Sequence, residues 1–293
     1  MAERSGHREA YVDLHLHTVA SDGTLTPEQL VDYASSKGYK AIAVTDHDSW
    51  ESIGATAALG SRVGLEVIPG IELSTTIDER EIHILGYFIA HHDRVFQAQV
   101  AHFKQARLER AQRMVEKLSA MGVHIEMQRV LQIAGGGSLG RPHVARALLE
   151  QGYVGSIDEA FSRYIGAGCP AYVAKDFLSP AESFRLIHDA GGLAFFAHPG
   201  IEGADDLIDG FAASGLDGLE VWHAKHTATQ AKHYLELATR KKLLVSGGSD
   251  FHGEGMGSSG SRCPVRVPYE VVERMKERLS QATLRKWTQE VND

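Results

Sequence analysis

The sequence predicts an α/β barrel interrupted by a helical insertion. Three observations carry this. Short runs rich in Val, Ile and Leu alternate with helical patterns, the mark of repeated βα units. The alternation breaks once, between residues 92 and 175. Histidine or carboxylate residues stand at or just past the ends of most of the runs. At 293 residues and 43% hydrophobic, the chain can fill one barrel-sized domain of ~200–250 residues with sequence to spare.

In chain order, the predicted strands are Tyr11–Leu16, Ala41–Thr45, Glu66–Ile71, Ile82–Ile89, Leu193–Ala197, Gly218–Trp222 and Leu243–Ser246. After the first strand, Thr26 and Pro27 predict a helix start, and Gly38 its end. The break opens with a long amphipathic helix from Asp93 to Met121, whose apolar side is Phe96, Val100, Phe103, Ala111, Met114 and Leu118. Arg107 interrupts that stripe. Shorter helices follow at His124–Ile133, Pro142–Gln151 and Ile157–Ile165, with Gly135-Gly136-Gly137 as a flexible break. A helix at Pro180–Asp189 returns the chain to the barrel pattern. Residues 1–91 and 176–293 are therefore expected to form the barrel, and 92–175 a small helical domain capping its mouth.

Charge and composition exclude several classes. The 30 basic against 38 acidic residues leave a net charge of −8, which disfavours long nucleic acids as partners. The two cysteines, Cys169 and Cys263, are far apart, so a disulfide scaffold is not expected. The polar amino terminus shows no signal peptide, and no run reaches the ~18 apolar residues of a membrane helix. A cytoplasmic protein without membrane contact or an obligate protein partner is the expectation.

The 16 histidines matter by position. Asp13-Leu14-His15-Leu16-His17 ends the first strand, and alternation points His15 and His17 to one face. Asp13 shares their parity and is expected to orient an imidazole. Asp22 follows in a turn. Later runs deliver His47, Glu72, His83, His198 and the pair Asp250 and His252. Each alone has a plainer explanation: Asp22 as a turn residue, His198 as a strand end, Asp250 as a helix cap. Independent structural accidents do not coincide at so many strand ends, so metal binding is the reading that explains them together. Nine candidate ligands exceed the needs of one ion, and the lack of cysteine among them suits Zn, Mn or Fe in a catalytic rather than structural site. His7, His91, His92, His102, His124, His188 and His233 stand apart from this pattern.

The strings DLHLHTVASDGTLTPEQLV, AVTDHD, GIELS, IHILGY, AHPG and GSDFH resemble the polymerase-and-histidinol-phosphatase (PHP) family. Within it, the chain is most similar to short bacterial phosphoesterases acting on 3′,5′-nucleoside bisphosphates, some of which also trim short RNA from the 5′ end. The insertion strings GRPHVARALLEQGYV and PAYVAKDFLSPAE are similar to theirs. The resemblance implies a distorted (β/α)7 barrel and a site for three divalent metal ions. His15, His17, Glu72 and Asp250 would bind one; Glu72 would bridge to a second held by His83 and His198; Asp22, His47 and His252 would hold the third. Hydrolysis would use a hydroxide held with the metals by Glu72 and Asp250.

The expected substrate-binding residues are Arg141, which opens a helix after Gly-rich sequence, with His143, Lys175, His223 and His226. Glu220 is expected behind the metal ligands, while Trp222 and Tyr87 are expected to pack the barrel rather than stack on a base. Other activities weighed are a phosphomonoesterase of a metabolite such as histidinol phosphate, an amide or lactone hydrolase, and a proofreading module bound to a polymerase. The full ligand set disfavours the amide or lactone hydrolase, and a free-standing chain the proofreading module.

Overall fold

The computed structural model describes residues 10–78, 80–174, 178–253 and 265–279. Its strands are β1 (Tyr11–Leu16), β2 (Ala41–Val44), β3 (Glu66–Ile77), β4 (Arg80–Tyr87), β5 (Leu193–Phe196), β6 (Gly218–His223), β7 (Leu244–Gly248) and β8 (Val267–Pro268). They form one sheet in the order β7-β6-β5-β4-β3-β2-β1-β8. The sheet curls into a nearly closed barrel. Its seam is bridged where Leu16 pairs with Phe251, with backbone bonds from Asp250 N to His15 O (2.9 Å) and His17 N to Phe251 O (3.1 Å). Gly248 permits this approach, because a Cβ there would lie 2.4 Å from His15. The two-residue β8, which the sequence pattern does not predict, pairs with the start of β1.

One strand runs the wrong way for a simple barrel. β1–β2–β3 and β5–β6–β7 are parallel, but β4 is antiparallel to both β3 and β5. β3 and β4 make a hairpin that extends β3 to Ile77, beyond its predicted end at Ile71. The reversal has a consequence for the site. Because β4 runs opposite to its neighbours and begins at the rim where the parallel strands end, His83 in its first half reaches the same mouth as ligands that follow the other strands.

The helices follow their local signals. α1 (Pro27–Lys37) starts with a Thr26–Gln29 capping box and ends at left-handed Gly38. α2 (Ile53–Val63) joins β2 to β3. α3 (Arg94–Ala120) is capped by Asp93. α4 (Met127–Ala134), α5 (Arg141–Glu150) and α6 (Ile157–Ala160) follow, the last running into a π-helical turn at Phe161–Ile165. α7 (Pro180–Asp189) matches its predicted bounds. The remaining helices are α8 (Pro199–Glu202), α9 (Ile208–Ser214), α10 (Ala228–Lys241) and α11 (Glu270–Arg278).

α3 belongs to two cores. Phe96, Val100 and Phe103 pack with barrel residues such as Leu73, Ile84 and Phe196. Ala111, Met114 and Leu118 pack instead with Val130, Val144, Leu148 and Ile165 from the helices that follow. Arg107 stands between them, which is why it breaks the apolar stripe.

Candidate metal centre

All nine predicted ligands converge at one end of the barrel. Glu72, buried on the extended part of β3, is the hub. Its Oε2 lies 3.1 Å from His15 Nε2, 3.2 Å from His17 Nε2 and 3.2 Å from His47 Nδ1. Its Oε1 lies 2.9 Å from His83 Nδ1 and 3.1 Å from His198 Nε2. Asp250 Oδ1 meets His15 Nε2 at 3.4 Å and His17 Nε2 at 3.3 Å. Asp22 Oδ1 meets His252 Nε2 at 3.3 Å.

These atoms fall into groups within ligand reach of a common point. His15, His17, Glu72 and Asp250 form one; Asp22, His47 and His252 form another, joined by His17. His83 groups with His47 and Glu72, and also with His198 and Glu202. Glu202 is absent from the sequence expectation. It lies four residues after His198, on one face of a single helical turn, and its Oε1 is 3.3 Å from His198 Nδ1.

The donor set fits divalent metals. Buried His17 Nε2, Asp22 Oδ1, His47 Nδ1 and His83 Nδ1 have no hydrogen-bond partner of good geometry, a costly condition for protein groups that a cation relieves. Two tautomers are already fixed. His15 Nδ1–H donates to Glu220 Oε1 (2.9 Å), and His252 Nδ1–H donates to the carbonyl of Asp250 (2.9 Å), so both turn an Nε2 lone pair towards the cluster. Burial opposes charge throughout; the mutual attraction of carboxylates and imidazoles outweighs it at Glu72, Asp22, Asp250, His15, His17 and His198, whereas at His47 burial wins and holds the imidazole well below its usual range. Glu72, Asp22 and Asp250 are held well below the usual carboxylate range, and His17 and His198 rise to about 10. Protons thus stand where cations would bind, and metal uptake must displace them.

Other predicted residues take different places. Asp13 does not touch an imidazole: the register of β1 on β2 shifts between Asp13 and Leu16, and Asp13 Oδ1 accepts the backbone N–H groups of Ser249 (2.9 Å) and His15 (3.3 Å). Its carboxylate therefore ties β1 to the chain after β7, and burial lifts its pKa to about 6. Arg107, which interrupts the apolar stripe of α3, crosses to the barrel. It donates to Asp48 Oδ2 (2.6 Å), Ser74 Oγ (2.7 Å) and Leu139 O (3.2 Å).

Arg141 Nη2 bonds Glu81 Oε2 at 2.7 Å, and Arg110 bonds the other oxygen of the same carboxylate at 2.7 Å. His143 is buried, and its Nδ1 accepts Gly140 N–H (2.9 Å). His223 is buried beside the centre with Nε2 3.4 Å from Asp250 Oδ2, while its Nδ1 accepts Lys225 N–H. His226 is committed to backbone at both nitrogens: Nδ1–H donates to Val221 O (2.9 Å), and Nε2 accepts Gly200 N–H (3.1 Å). Lys175 and Cys263 lie outside the described residues. Tyr87 is fully buried and donates to Leu14 O (3.0 Å), as expected of a packing residue.

A family model for the PHP domain matches residues 13–167. The chain belongs to the PHP family. It is accordingly a hydrolase acting on phosphate ester bonds. The 3′,5′-nucleoside bisphosphate phosphatase of Chromobacterium violaceum is 32% identical over 85% of this chain and 89% of its own. The 5′-3′ exoribonuclease Rnm of Escherichia coli is 34% identical over 82% and 84%. A solved structure from Bifidobacterium adolescentis, classed as a metal-dependent phosphoesterase, superposes with a TM-score of 0.83 at 31% identity, covering 93% of this chain and 97% of that one. This PHP chain has no helix among the described residues long and apolar enough to cross a membrane.

Proposed function

We propose that this PHP protein removes the 3′-phosphate from nucleoside 3′,5′-bisphosphates, with 5′-to-3′ exonuclease activity on short RNA. The observation that carries the reading is the convergence of nine ligands at one end of the barrel, five of them imidazoles against Glu72, in a chain similar over most of its length to relatives named as a 3′,5′-nucleoside bisphosphate phosphatase and a 5′-3′ exoribonuclease. Three divalent ions, Mn, Fe or Zn, would sit with His15, His17, Glu72 and Asp250; with Glu72, His83 and His198, the latter two against one Glu72 oxygen; and with Asp22, His47 and His252. Bound there, such ions lower the pKa of water to ~7 and stabilise charge on a phosphoryl group. Glu72 and Asp250 would orient the reacting groups between them. The helical segment 92–175 would cap the mouth, with Arg141, His143 and Lys175 serving to bind the second phosphate and ribose. His223 would contact substrate or hold Asp250, and His226 would act through Gly200 by fixing the loop that bears His198. The compartment would be cytoplasmic.

A phosphomonoesterase of histidinol phosphate is the second reading, since the same ligands serve it. Phosphate release by Mn-loaded protein from adenosine 3′,5′-bisphosphate, AMP, histidinol phosphate and a short 5′-phosphorylated RNA separates the two. The bisphosphate should be strongly preferred over AMP, and Arg141→Ala should erase that preference. Equal or faster turnover of histidinol phosphate overturns the substrate assignment.

A further inference from the structure

Asp46 precedes the expected ligand His47 and is fully buried beside the centre, yet it joins none of the metal-binding groups. Its hydrogen bonds explain why. Oδ1 accepts Thr18 N–H and Ser21 Oγ–H, each at 2.7 Å. Oδ2 accepts Thr18 Oγ1–H at 2.7 Å and the hydroxyl of Ser52. An ionised carboxylate offers about four lone-pair sites, so these bonds leave Asp46 nothing for a cation.

What the bonds join is informative. Thr18 and Ser21 belong to the turn after β1, which closes on itself through Ser21 N and Gly23 N to Thr18 O, and Ala20 N to Thr18 Oγ1. Asp22 rides on that turn. Gly23 must stay small, since a Cβ there would lie 2.6 Å from the His17 carbonyl. Ser52 immediately precedes α2, on the other side of His47, and spends its hydroxyl on Asp46 rather than on the helix start. One carboxylate thus fastens the Asp22 turn to the strand end that bears His47.

We infer that Asp46 is a positioning residue that locks Asp22 against His47 and so builds the metal position those two share with His252. The inference rests on the proposed reading of Asp22, His47 and His252 as ligands. The Asp46 carboxylate makes no bond to Glu72 or Asp250, and Glu72 is held to this strand end through the backbone instead, its N–H donating to the Asp46 carbonyl at 3.2 Å, so the other positions depend on the carboxylate less. Asp46→Asn keeps the shape but sets an amide N–H₂ against hydroxyl and backbone donors, and the turn must shift.

The test counts metal. Wild-type and D46N protein, stripped and dialysed against buffered free Mn²⁺, are assayed for bound metal by mass spectrometry, with circular dichroism reporting the fold. Wild type should bind three equivalents. D46N should keep its fold and two equivalents, with affinity at one position weakened roughly 10–100-fold, as for loss of an outer-shell partner. Ser21→Ala and Ser52→Ala each remove a single donor; they should weaken the same position to a smaller degree and decide the matter if D46N does not fold. Three equivalents at wild-type affinity in D46N, or in both serine variants where D46N does not fold, overturn the lock alone. Fewer than three in wild type overturn the ligand reading and the lock together.

Discussion

Glu220 holds Nδ1 of His15 at 2.9 Å, and this decides which nitrogen His15 offers to the metal centre. The same carboxylate accepts the backbone N–H of His198 at 2.7 Å. His198 has a φ of 30°, a left-handed conformation costly for a residue with a Cβ. One buried acid therefore fixes a tautomer on β1 and a strained backbone after β5. Glu202 stands at His198 Nδ1 in a similar way, so His15 and His198, which face different oxygens of Glu72, each have a carboxylate behind them.

Glu220→Gln should leave the fold intact and weaken metal binding roughly 10–100-fold, because an amide cannot accept both donors equally well with both its atoms. Metal retained after dialysis at fixed free Mn²⁺ checks this. Wild-type retention would show that Glu220 does no more than fill space.

Arg107 carries the connection between the helical segment and the barrel. Its pair with Asp48 is almost fully buried on both sides. Arg107→Ala leaves the Asp48 charge without its partner in a dry setting, and should cost about 3–5 kcal/mol in urea unfolding. A loss under about 1 kcal/mol, the range of surface pairs, would contradict the role assigned to it.

His91 gives the protein an acid weakness. Burial, with His92 beside it, pushes its pKa down to about 4, below its ordinary 6.5. The unfolded chain then takes up a proton at a higher pH than the folded one. This group costs nothing above pH 6.5, and its penalty grows as pH falls towards 4, reaching about 3 kcal/mol there. Unfolding of metal-free wild type and His91→Leu across pH 7 to 4 should show a shallower loss in the variant. Parallel curves would remove His91 from the account.

Much of the centre is legible in sequence because its ligands stand at strand ends in recognisable pairs, such as His15 with His17 and Asp250 with His252. Turn and cap chemistry likewise marks α1 and α7 within a residue. The misses have physical causes. The parity argument for Asp13 assumes a regular strand, and the register shift in β1 defeats it. β3 ends late because the reversed β4 gives it a partner beyond the barrel rim, which no local pattern announces. Glu202 and Arg107 act across long sequence distances or through a single helical turn, and their partners exist only once the chain has folded. His226 stands at the rim as expected, but the backbone of Val221 and Gly200 claims both nitrogens.

The most direct test of the account is activity against metal content. Stripped protein, titrated with Mn²⁺ and assayed on adenosine 3′,5′-bisphosphate, should be inactive at the outset. Turnover should reach its plateau only near three equivalents per chain, with protons released as metal enters. A plateau at one equivalent, or activity that survives complete stripping, would contradict a trinuclear phosphoesterase.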